Sequence, residues 1–315
     1  MTSRISRWVW PIIGVCAITL SAWLLVKEFR TLRFHDVVAS VEAIPLHRWI
    51  AAIAATLVAY AALAGYDRIA LMHLGKRLSW RFVAIASFTA YALSHNIGFS
   101  LLSGAVVRYR AYTSQGLTPG EVGILVAFCS FTFTLGVFIL GGLLLILHPA
   151  FLQRFIQVPN WVALAGGALM LGFVGFYVLG SLLQLKPLKI AAFHIEYPRP
   201  AVVARQLIVG PVEIIGAAGI IYFSLPAAGN PGFIEVLGIF LASFTLALAS
   251  HAPGGIGVLE YVFLSGLDEI DPAHVLAALI IFRILYLLVP LALSLVVVFL
   301  FERRQLQRQS EPPGR

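Results

Sequence analysis

Charged residues are scarce in this sequence: Lys, Arg, Asp and Glu together make up 11% of its 315 residues. A soluble protein of this length needs far more charge to cover its surface, so a soluble fold is excluded. Hydrophobic residues account for 60%. Long apolar runs recur from end to end, each near the roughly 20 residues that cross a bilayer as a helix. The composition therefore predicts an all-α integral membrane protein.

Cysteine and catalytic motifs are also nearly absent. Cys16 and Cys129 both lie inside apolar runs, outside any CxxC or metal-ligand spacing. We therefore expect packing roles for them, with no disulfide, no metal and no other cofactor. The sequence contains no P-loop, no HExxH, no GxSxG and no dinucleotide-binding glycine motif after a strand. We expect no enzymatic activity and no ATPase, so any transport runs downhill or on an ion gradient.

Eight hydrophobic segments divide the chain. We place them at 8–26, 49–70, 82–107, 122–147, 161–183, 206–225, 233–267 and 273–301. The third segment is interrupted by Ser94-His95-Asn96-Ile97-Gly98, and the seventh by the Pro- and Gly-rich stretch 250–257. Proline and clustered glycines break helices. Broken backbone at membrane depth persists only where protein or a wet cavity satisfies its polar groups.

The distribution of Lys and Arg indicates how the two broken segments sit, because cytoplasmic loops carry the excess of positive charge. If both leave the membrane on the side they entered, sixteen basic residues lie inside, five outside and one, Arg283, within a span. If the first crossed as an ordinary span, Arg108, Arg110 and the basic residues of 186–205 would face outward. The pattern predicts six full transmembrane helices plus two broken re-entrant helical hairpins, with both termini cytoplasmic. The net charge of +8 then favours anionic lipid rather than nucleic acid as the partner.

This topology makes the second half of the chain an inverted copy of the first. Each half contains two spans, a hairpin and a third span. Because each half therefore crosses the membrane three times, the second half has the opposite orientation in the membrane. Ser-His occurs in both broken segments, at His95 and His251, although so short a match also arises by chance. We predict a single transmembrane domain over 1–315, with repeat one about 1–147 and repeat two about 161–301. Residues 302–315 are predicted to be a polar, disordered cytoplasmic tail.

Ionisable residues inside apolar spans are costly, which makes them candidates for functional sites. Arg108 and Arg110 are either cytoplasmic anchors or a phosphate clamp, because guanidinium groups bind phosphate oxygens bidentately. Glu260 and Arg283 are either a buried ion pair or a lipid-headgroup or proton site. The candidates in the spans and at the hairpin end are Asp67, Arg108, Arg110, Glu213, Glu260 and Arg283.

Polar residues at the two breaks form a second group of candidates. His95 and His251 are either proton carriers near neutral pH or hydrogen-bonded helix caps. Asn96 follows His95 in the first break. Gly254 and Gly255 either cradle an anion with backbone N–H groups at a helix start or only permit tight turning.

These motifs resemble the membrane region of the lysylphosphatidylglycerol synthase/flippase family over nearly the whole chain. The resemblance is closest to the N-terminal flippase half of the multiple peptide resistance factor proteins. Its most specific part is Pro-Gly-Gly-x-Gly-x-x-Glu, ending at Glu260, followed by the last span with Arg283. The other matching motifs are Tyr66-Asp67, Ser94-His95-Asn96-Ile97-Gly98-Phe99, Gly104, Arg108-Tyr109-Arg110-Ala111-Tyr112, Phe128-Cys129-Ser130-Phe131-Thr132-Phe133 and Phe282-Arg283-Ile284-Leu285-Tyr286.

The resemblance implies a multi-pass protein of the bacterial inner membrane that moves phospholipids, often aminoacylated ones, between leaflets. It implies that Asp67 and Arg108 handle the headgroup, and Glu213 stands where relatives often carry an acidic residue. The sequence departs from relatives in the first hairpin, where Asn96-Ile97-Gly98 replaces the Pro-Gly they often have. A soluble aminoacyl-transferase domain is missing, so we expect no synthesis of aminoacyl lipid.

The prediction is therefore a phospholipid flippase for an anionic or aminoacylated headgroup. The alternatives are an intramembrane lipid-modifying enzyme, using Asp67 with His95 as acid and base, and an accessory subunit of a lipid-synthesis complex. The expected partners are a phospholipid and the membrane, together with a lipid-synthesis enzyme or a second copy of the chain. We expect no nucleic-acid partner.

Overall fold

The computed structural model describes residues 34–97, 100–184, 188–190, 193–195, 197–227, 229–250 and 255–310. Its helices are α1 (Phe34–Glu42), α2 (Leu46–His73), α3 (Trp80–Ile97), α4 (Ser100–Thr113), α5 (Pro119–Leu147), α6 (Asn160–Leu182), α7 (Pro200–Ser224), α8 (Phe233–Ser250), α9 (Val258–Gly266), α10 (Pro272–Phe282) and α11 (Val289–Ser310). A 3₁₀ helix at Pro149–Arg154 precedes α6, and a π-helical turn at Arg283–Leu288 joins α10 to α11. The strands β1 (Leu188–Ile190) and β2 (Phe193–Ile195) form a short antiparallel pair.

Within the described residues, five helices are long and apolar enough to cross a membrane: α2, α5, α6, α7 and the continuous helix Pro272–Leu300. The shortest has 23 residues, about 34 Å at the α-helical rise, which covers the hydrocarbon core. The chain is thus an essentially all-helical, multi-pass membrane protein. The first predicted segment, 8–26, lies outside the described residues. In α6 only 22% of the apolar window is buried, against 56% in α7, so α6 is peripheral and α7 central.

The spanning helices begin earlier than the apolar runs predicted, because polar caps and prolines start them. Thr118 and Glu121 form a reciprocal capping box at the start of α5. Pro200 occupies the first turn of α7, where its missing N–H costs nothing. Asp271 caps α10 by accepting a hydrogen bond from the N–H of Ala273 at 2.9 Å. These polar first turns lie outside any hydrophobic run and so escape a count of apolar residues.

The first broken segment folds back on itself as a hairpin of α3 and α4. Gly104 on α4 lies opposite Ser94 on α3, so close that a Cβ on the glycine would stand 3.2 Å from the serine Cβ. At the open end, the Phe82 ring packs edge-on against Tyr112 with centroids 5.7 Å apart. The break was predicted to begin at Ser94, but α3 continues to Ile97. The residues between the two helices, 98 and 99, lie outside the described residues.

The second broken segment forms a hairpin of α8 and α9. A Cβ on Gly255 would stand 3.1 Å from the Ala247 Cβ, and one on Gly266 would stand 3.0 Å from the Ile239 side chain. Gly255 and Gly257 have φ of +65° and +85°, which is costly for a residue with a Cβ. Glycine is therefore required where the chain enters α9. Residues 251–254 lie outside the described residues.

The open ends of the two hairpins lie at opposite ends of α5. Lys76, just before α3, bonds Glu121 at the start of α5 at 2.8 Å. Arg154, after the end of α5, bonds Glu235 at 3.2 Å and the Gly266 carbonyl at 3.0 Å. Glu235 and Gly266 are the two ends of the second hairpin. Because α5 has 29 residues, these two ends are separated by about 43 Å along its axis.

Small residues bring the central helices into backbone contact. A Cβ on Gly136 of α5 would stand 2.7 Å from the Gly210 backbone of α7. On another face of α7, a Cβ on Gly216 would stand 3.0 Å from the Ala59 amide nitrogen of α2. Such close approach is the way that membrane helices gain packing energy without a hydrophobic driving force. The helix α7 is therefore held tightly between α2 and α5.

The end of the chain differs from the prediction. Disorder was expected from residue 302, but α11 continues as a helix to Ser310. Residues 302–310 include three Arg and three Gln, which are good helix formers and extend a helix already nucleated within the span. Residues 311–315 lie outside the described residues.

Candidate functional site

A cavity of about 420 Å³ lies between α2, α3, α4, α5, α7 and α8. This volume is in the range of small-molecule sites in proteins. Its walls are largely apolar, but charged and hydroxyl groups enter from several helices. These polar lining residues are Tyr66, Tyr91, Ser94, His95, Arg108, Ser130, Thr134, Glu213 and Thr245. We call this space the central cavity.

Arg108 reaches the central cavity from α4 and is bound from behind by Asp67 of α2. Its Nε donates to Oδ1 and Oδ2 at 3.2 and 3.1 Å, and its Nη2 donates to Oδ1 at 2.9 Å. Asp67 also accepts from the Tyr112 hydroxyl at 2.7 Å and the Cys129 thiol at 3.3 Å. Asp67 and Arg108 are both buried. Every charge in this network is thus paired and hydrogen-bonded, as a buried ion pair requires.

The face of the Arg108 guanidinium lies over the Tyr91 ring, 4.3 Å from its centroid, in a cation–π contact. Asp67 takes up the fork of Nε and Nη2, whereas Nη1 points towards Gly104, where a Cβ would be 3.3 Å away. A phosphate at Arg108 would therefore meet Nη1 first, and it would gain the fork of Nε and Nη2 only by displacing Asp67. Arg110, the second arginine of the predicted clamp, is exposed and does not line the central cavity.

Glu213 of α7 and His95 of α3 meet around one tyrosine. The Tyr286 hydroxyl donates to Glu213 Oε1 at 2.5 Å, and the His95 ring stacks on the Tyr286 ring at 5.2 Å. Tyr60 fixes this tyrosine from α2 by donating to its backbone carbonyl at 2.9 Å. Among the described residues, His95 Nδ1 and Glu213 Oε2 are buried polar atoms without a hydrogen-bond partner. Each belongs to a residue that lines the central cavity.

Glu260 and Arg283 form an ion pair next to the second hairpin's break. Arg283 donates to Glu260 Oε1 from Nε at 2.9 Å and from Nη2 at 2.5 Å. Glu260 Oε2 accepts from the Gly257 N–H at 2.8 Å, which holds the start of α9 in place. This arrangement confirms the ion-pair interpretation of the two residues. The pair does not line the central cavity.

The π-helical turn Arg283–Leu288 contacts both hairpins. Asn96, in the last turn of α3, donates to the Leu287 carbonyl at 3.1 Å and to the Ala92 carbonyl at 2.8 Å. From the other hairpin, Glu260 binds Arg283, the first residue of the turn. Single π-helical turns are frequently found at functional sites. The turn therefore links the two broken segments.

A second cavity, of about 670 Å³, lies at the open end of the second hairpin. It is lined by the end of α5, the 3₁₀ helix and the start of α8, and includes His148, Arg154 and Glu235. Arg154 and Glu235 are partly exposed, unlike the charged groups of the central cavity. We call this space the second cavity.

The structure thus gathers part of the predicted site. His95, Arg108 and Glu213 line the central cavity, and Asp67 supports Arg108. Gly255 lies apart from them beside Ala247, and His251 and Gly254 fall outside the described residues. Within the described part of the chain, no three His, Cys, Asp or Glu side chains form a metal site.

The contacts of several residues in the site were not predicted from the sequence. These are Tyr66, Tyr91, Tyr112, Cys129 and Tyr286. Four of them lie in the motifs that carry the family resemblance, which is the signal that could have selected them. Cys129 was interpreted as a packing residue, and its bond to Asp67 depends on how α5 approaches α2.

The fold and cavity define a polytopic helical membrane protein with buried charges inside its helix bundle. The model of the lysylphosphatidylglycerol synthase TM region matches residues 12–294, and the chain belongs to this family. An uncharacterized protein of Synechocystis sp., slr0712, is 32% identical over 301 residues, which cover 94% of each chain. The inner membrane protein YbhN of Escherichia coli is 26% identical over 262 residues, or 80% of each chain.

The chain is also similar to part of longer proteins that carry the name of an enzyme. A phosphatidylglycerol lysyltransferase of Staphylococcus haemolyticus is 25% identical over 214 residues. The matching region covers 67% of this chain but only 24% of the lysyltransferase. The similarity therefore concerns a minor part of that protein.

Proposed function

We propose that this protein is a phospholipid flippase of the bacterial inner membrane. It moves an anionic or aminoacylated headgroup between leaflets without an ATPase of its own. The observation that carries the proposal is the central cavity, in which Arg108 and Glu213 stand inside a bundle of apolar helices. A charged headgroup in hydrocarbon carries a large desolvation cost, and a polar cavity lowers that barrier while the acyl chains stay in lipid. The relatives' printed names, a lysyltransferase of phosphatidylglycerol and an inner membrane protein, support the substrate class and the location.

The topology that fits this function has six full spans and two re-entrant hairpins, with both termini in the cytoplasm. The hairpins enter from opposite faces and belong to inverted repeats of about 1–147 and 161–301 within one transmembrane domain. The opposite positions of the two hairpin openings along α5 support this arrangement. In such transporters, broken helices converge near the midplane and form the substrate site.

The route begins at Arg108, which lies near the cytoplasmic end of the bundle in this topology. An anionic phosphate competes with Asp67 for the guanidinium fork, and Tyr112 and Cys129 keep the released carboxylate hydrogen-bonded. Transport further requires the π-helical turn to change its contacts with the hairpins at Asn96 and Glu260. The second cavity, with Arg154, receives the headgroup on the outer side.

Reconstitution of the full chain in liposomes with a labelled phospholipid tests the proposal. We expect exchange between leaflets well above that of empty vesicles, because the cavity replaces part of the headgroup's hydration. Arg108→Lys should reduce it strongly, because lysine keeps the charge but loses the planar fork. The control is Arg205→Lys, an exposed arginine whose Nη1 bonds only within its own helix among the described residues. Exchange equal to that of empty vesicles, with and without an ion gradient, would contradict the proposal.

A lipid-modifying enzyme is less well supported by the geometry. The expected general base, Asp67, has both carboxylate oxygens occupied by Arg108, Tyr112 and Cys129. A base must be free to take a proton from substrate, and this carboxylate is held instead as a counter-ion. A change in lipid composition on deletion of the gene, without a change in leaflet distribution, would favour the enzyme.

A further inference from the structure

Glu213 differs from the other buried carboxylates in the described part of the chain. The three buried acidic side chains are Asp67, Glu213 and Glu260. Asp67 is paired with Arg108 and Glu260 with Arg283, but Glu213 forms no ion pair with a described residue. A buried carboxylate without a cation is costly when ionised, and such a group is neutralised by taking up a proton.

The hydrogen bonds of Glu213 leave one of its oxygens available. Oε1 accepts from the Tyr286 hydroxyl, whereas Oε2, which belongs to the lining of the central cavity, has no hydrogen-bond partner among the described residues. The Tyr66 hydroxyl, which donates to the Gly210 carbonyl at 3.3 Å, also interacts with the Glu213 side chain. A carboxylic acid has one acceptor oxygen and one hydroxyl donor. The hydrogen bond from Tyr286 at Oε1 suits the acceptor, so the proton belongs on Oε2.

The groups that face Glu213 supply no spare positive charge. Arg108 carries the fixed positive charge among them, and Asp67 already neutralises it. His95 is the other group that can take up a proton, and its Nδ1 is unpartnered. On the α8 side, the cavity is lined by the uncharged Phe244 and Thr245. The titratable and charged residues around Glu213 are Tyr60, Tyr66 and Asp67 on α2, Tyr91 and His95 on α3, Arg108 on α4, Cys129 on α5 and Tyr286 in the π-helical turn.

We propose that Glu213 binds a proton that travels together with the anionic headgroup, so that the protein is a proton–lipid symporter. This inference rests on the proposed function and names its coupling ion. When Glu213 is ionised, its negative charge repels a phosphate in the central cavity. When the Oε2–H bond forms, the charge disappears and the phosphate can enter. On the other side, that bond breaks and the proton passes to water as the headgroup leaves.

The test uses the full chain in vesicles of phosphatidylcholine and phosphatidylglycerol with a trace of fluorescent phosphatidylglycerol. A pH difference is imposed across the membrane, while potassium and valinomycin hold the electrical potential at zero. A membrane-impermeant reductant then measures how much label lies in the outer leaflet. We expect the label to accumulate on the alkaline side. With one proton per lipid, its leaflet ratio at equilibrium changes about tenfold for each pH unit.

Glu213→Gln is the decisive variant, because glutamine resembles the protonated acid but cannot release a proton. We expect its label distribution to lose the dependence on a pH difference. The matched control is Glu269→Gln, the same substitution at an exposed carboxylate, which should respond as the wild type does. A full response in Glu213→Gln would overturn the proposal.

Two measurements on the wild type test the coupling even if Glu213→Gln fails to fold: the response of the label to a pH difference, and proton movement driven by a lipid gradient. An imposed leaflet gradient of phosphatidylglycerol should drive protons across the membrane, as reported by a pH dye trapped in the vesicles. Label exchange without proton movement and without a response to the pH difference would overturn the coupling, while the flippase function would stand. Exchange no faster than in empty vesicles under any condition would overturn the flippase function as well.

Discussion

Asn96, in the last turn of α3, donates a hydrogen bond to the backbone carbonyl of Leu287 at 3.1 Å, across 191 positions of the chain. The acceptor belongs to the π-helical turn, and the donor is close to the end of the first hairpin. Glu260 of the second hairpin binds the same turn at Arg283, so both hairpins are bonded to one turn of helix. The two broken segments are thus connected to each other through the π-helical turn.

Asn96→Ala should weaken this connection. We expect a loss of about 1 kcal/mol in stability, the usual size for a hydrogen bond, and a larger loss in lipid exchange because the hairpins are no longer coupled. The comparison is Asn160→Ala, which removes an exposed bond to Gln153 outside the bundle. Thermal unfolding in detergent and exchange in liposomes measure the two effects. Equal losses of exchange in both variants would contradict a specific role for Asn96.

Asp67→Ala should destabilise the protein by about 3–5 kcal/mol, because it leaves the Arg108 guanidinium buried without a counter-ion. The double variant Asp67→Ala with Arg108→Leu should recover much of that loss, since both charges are then gone. Lys76→Ala is the control, because its pair with Glu121 is partly exposed and should contribute about 0–1 kcal/mol. Denaturation in detergent measures all three variants. A double variant less stable than Asp67→Ala would show that the pair is not the source of the loss.

Much of the fold could be predicted because its signals are local. Gly98 and Pro253 with the following glycines mark where helices cannot continue, and the structure has helical hairpins at both places. The pair of Glu260 and Arg283 was also predictable, since two opposite charges in the apolar segments of the second half of the chain are costly unless they form an ion pair.

The remainder depends on tertiary contacts that no local pattern encodes. The residues of the π-helical turn, from Arg283 to Leu288, form an ordinary apolar helical sequence, so nothing in their spacing indicates a wider turn. Asn96 was placed in the break, yet it stays helical because Ala92 and Leu287 satisfy its amide. The lack of an ion pair between Glu213 and any described cation could not be predicted, because it depends on Arg108 being bound by Asp67 instead.

Gly136→Ala should strongly reduce folding, because the new Cβ would stand 2.7 Å from the Gly210 backbone and force α5 away from α7. Overpacking of this kind costs about 1–3 kcal/mol, and here the neighbour is backbone that cannot rotate aside. The matched control is Gly172→Ala on α6, where no described atom lies within 4 Å of the added Cβ. Size-exclusion profiles and melting temperatures compare the two. Equal melting temperatures would contradict the close crossing of α5 and α7.

Cysteines placed at opposite ends of α5 should react from opposite sides of the membrane. Arg110→Cys lies at the end of the first hairpin and Arg154→Cys at the opening of the second. If the hairpins enter from opposite faces, an impermeant maleimide added to intact spheroplasts should label only Arg154→Cys. Inverted vesicles should reverse the result, because the cytoplasmic face is then outside. The parent chain gives the background from Cys16 and Cys129, of which Cys129 is buried and should react slowly. Labelling of Arg110→Cys in place of Arg154→Cys from outside would require the first broken segment to cross the membrane, and the inverted arrangement would then be lost.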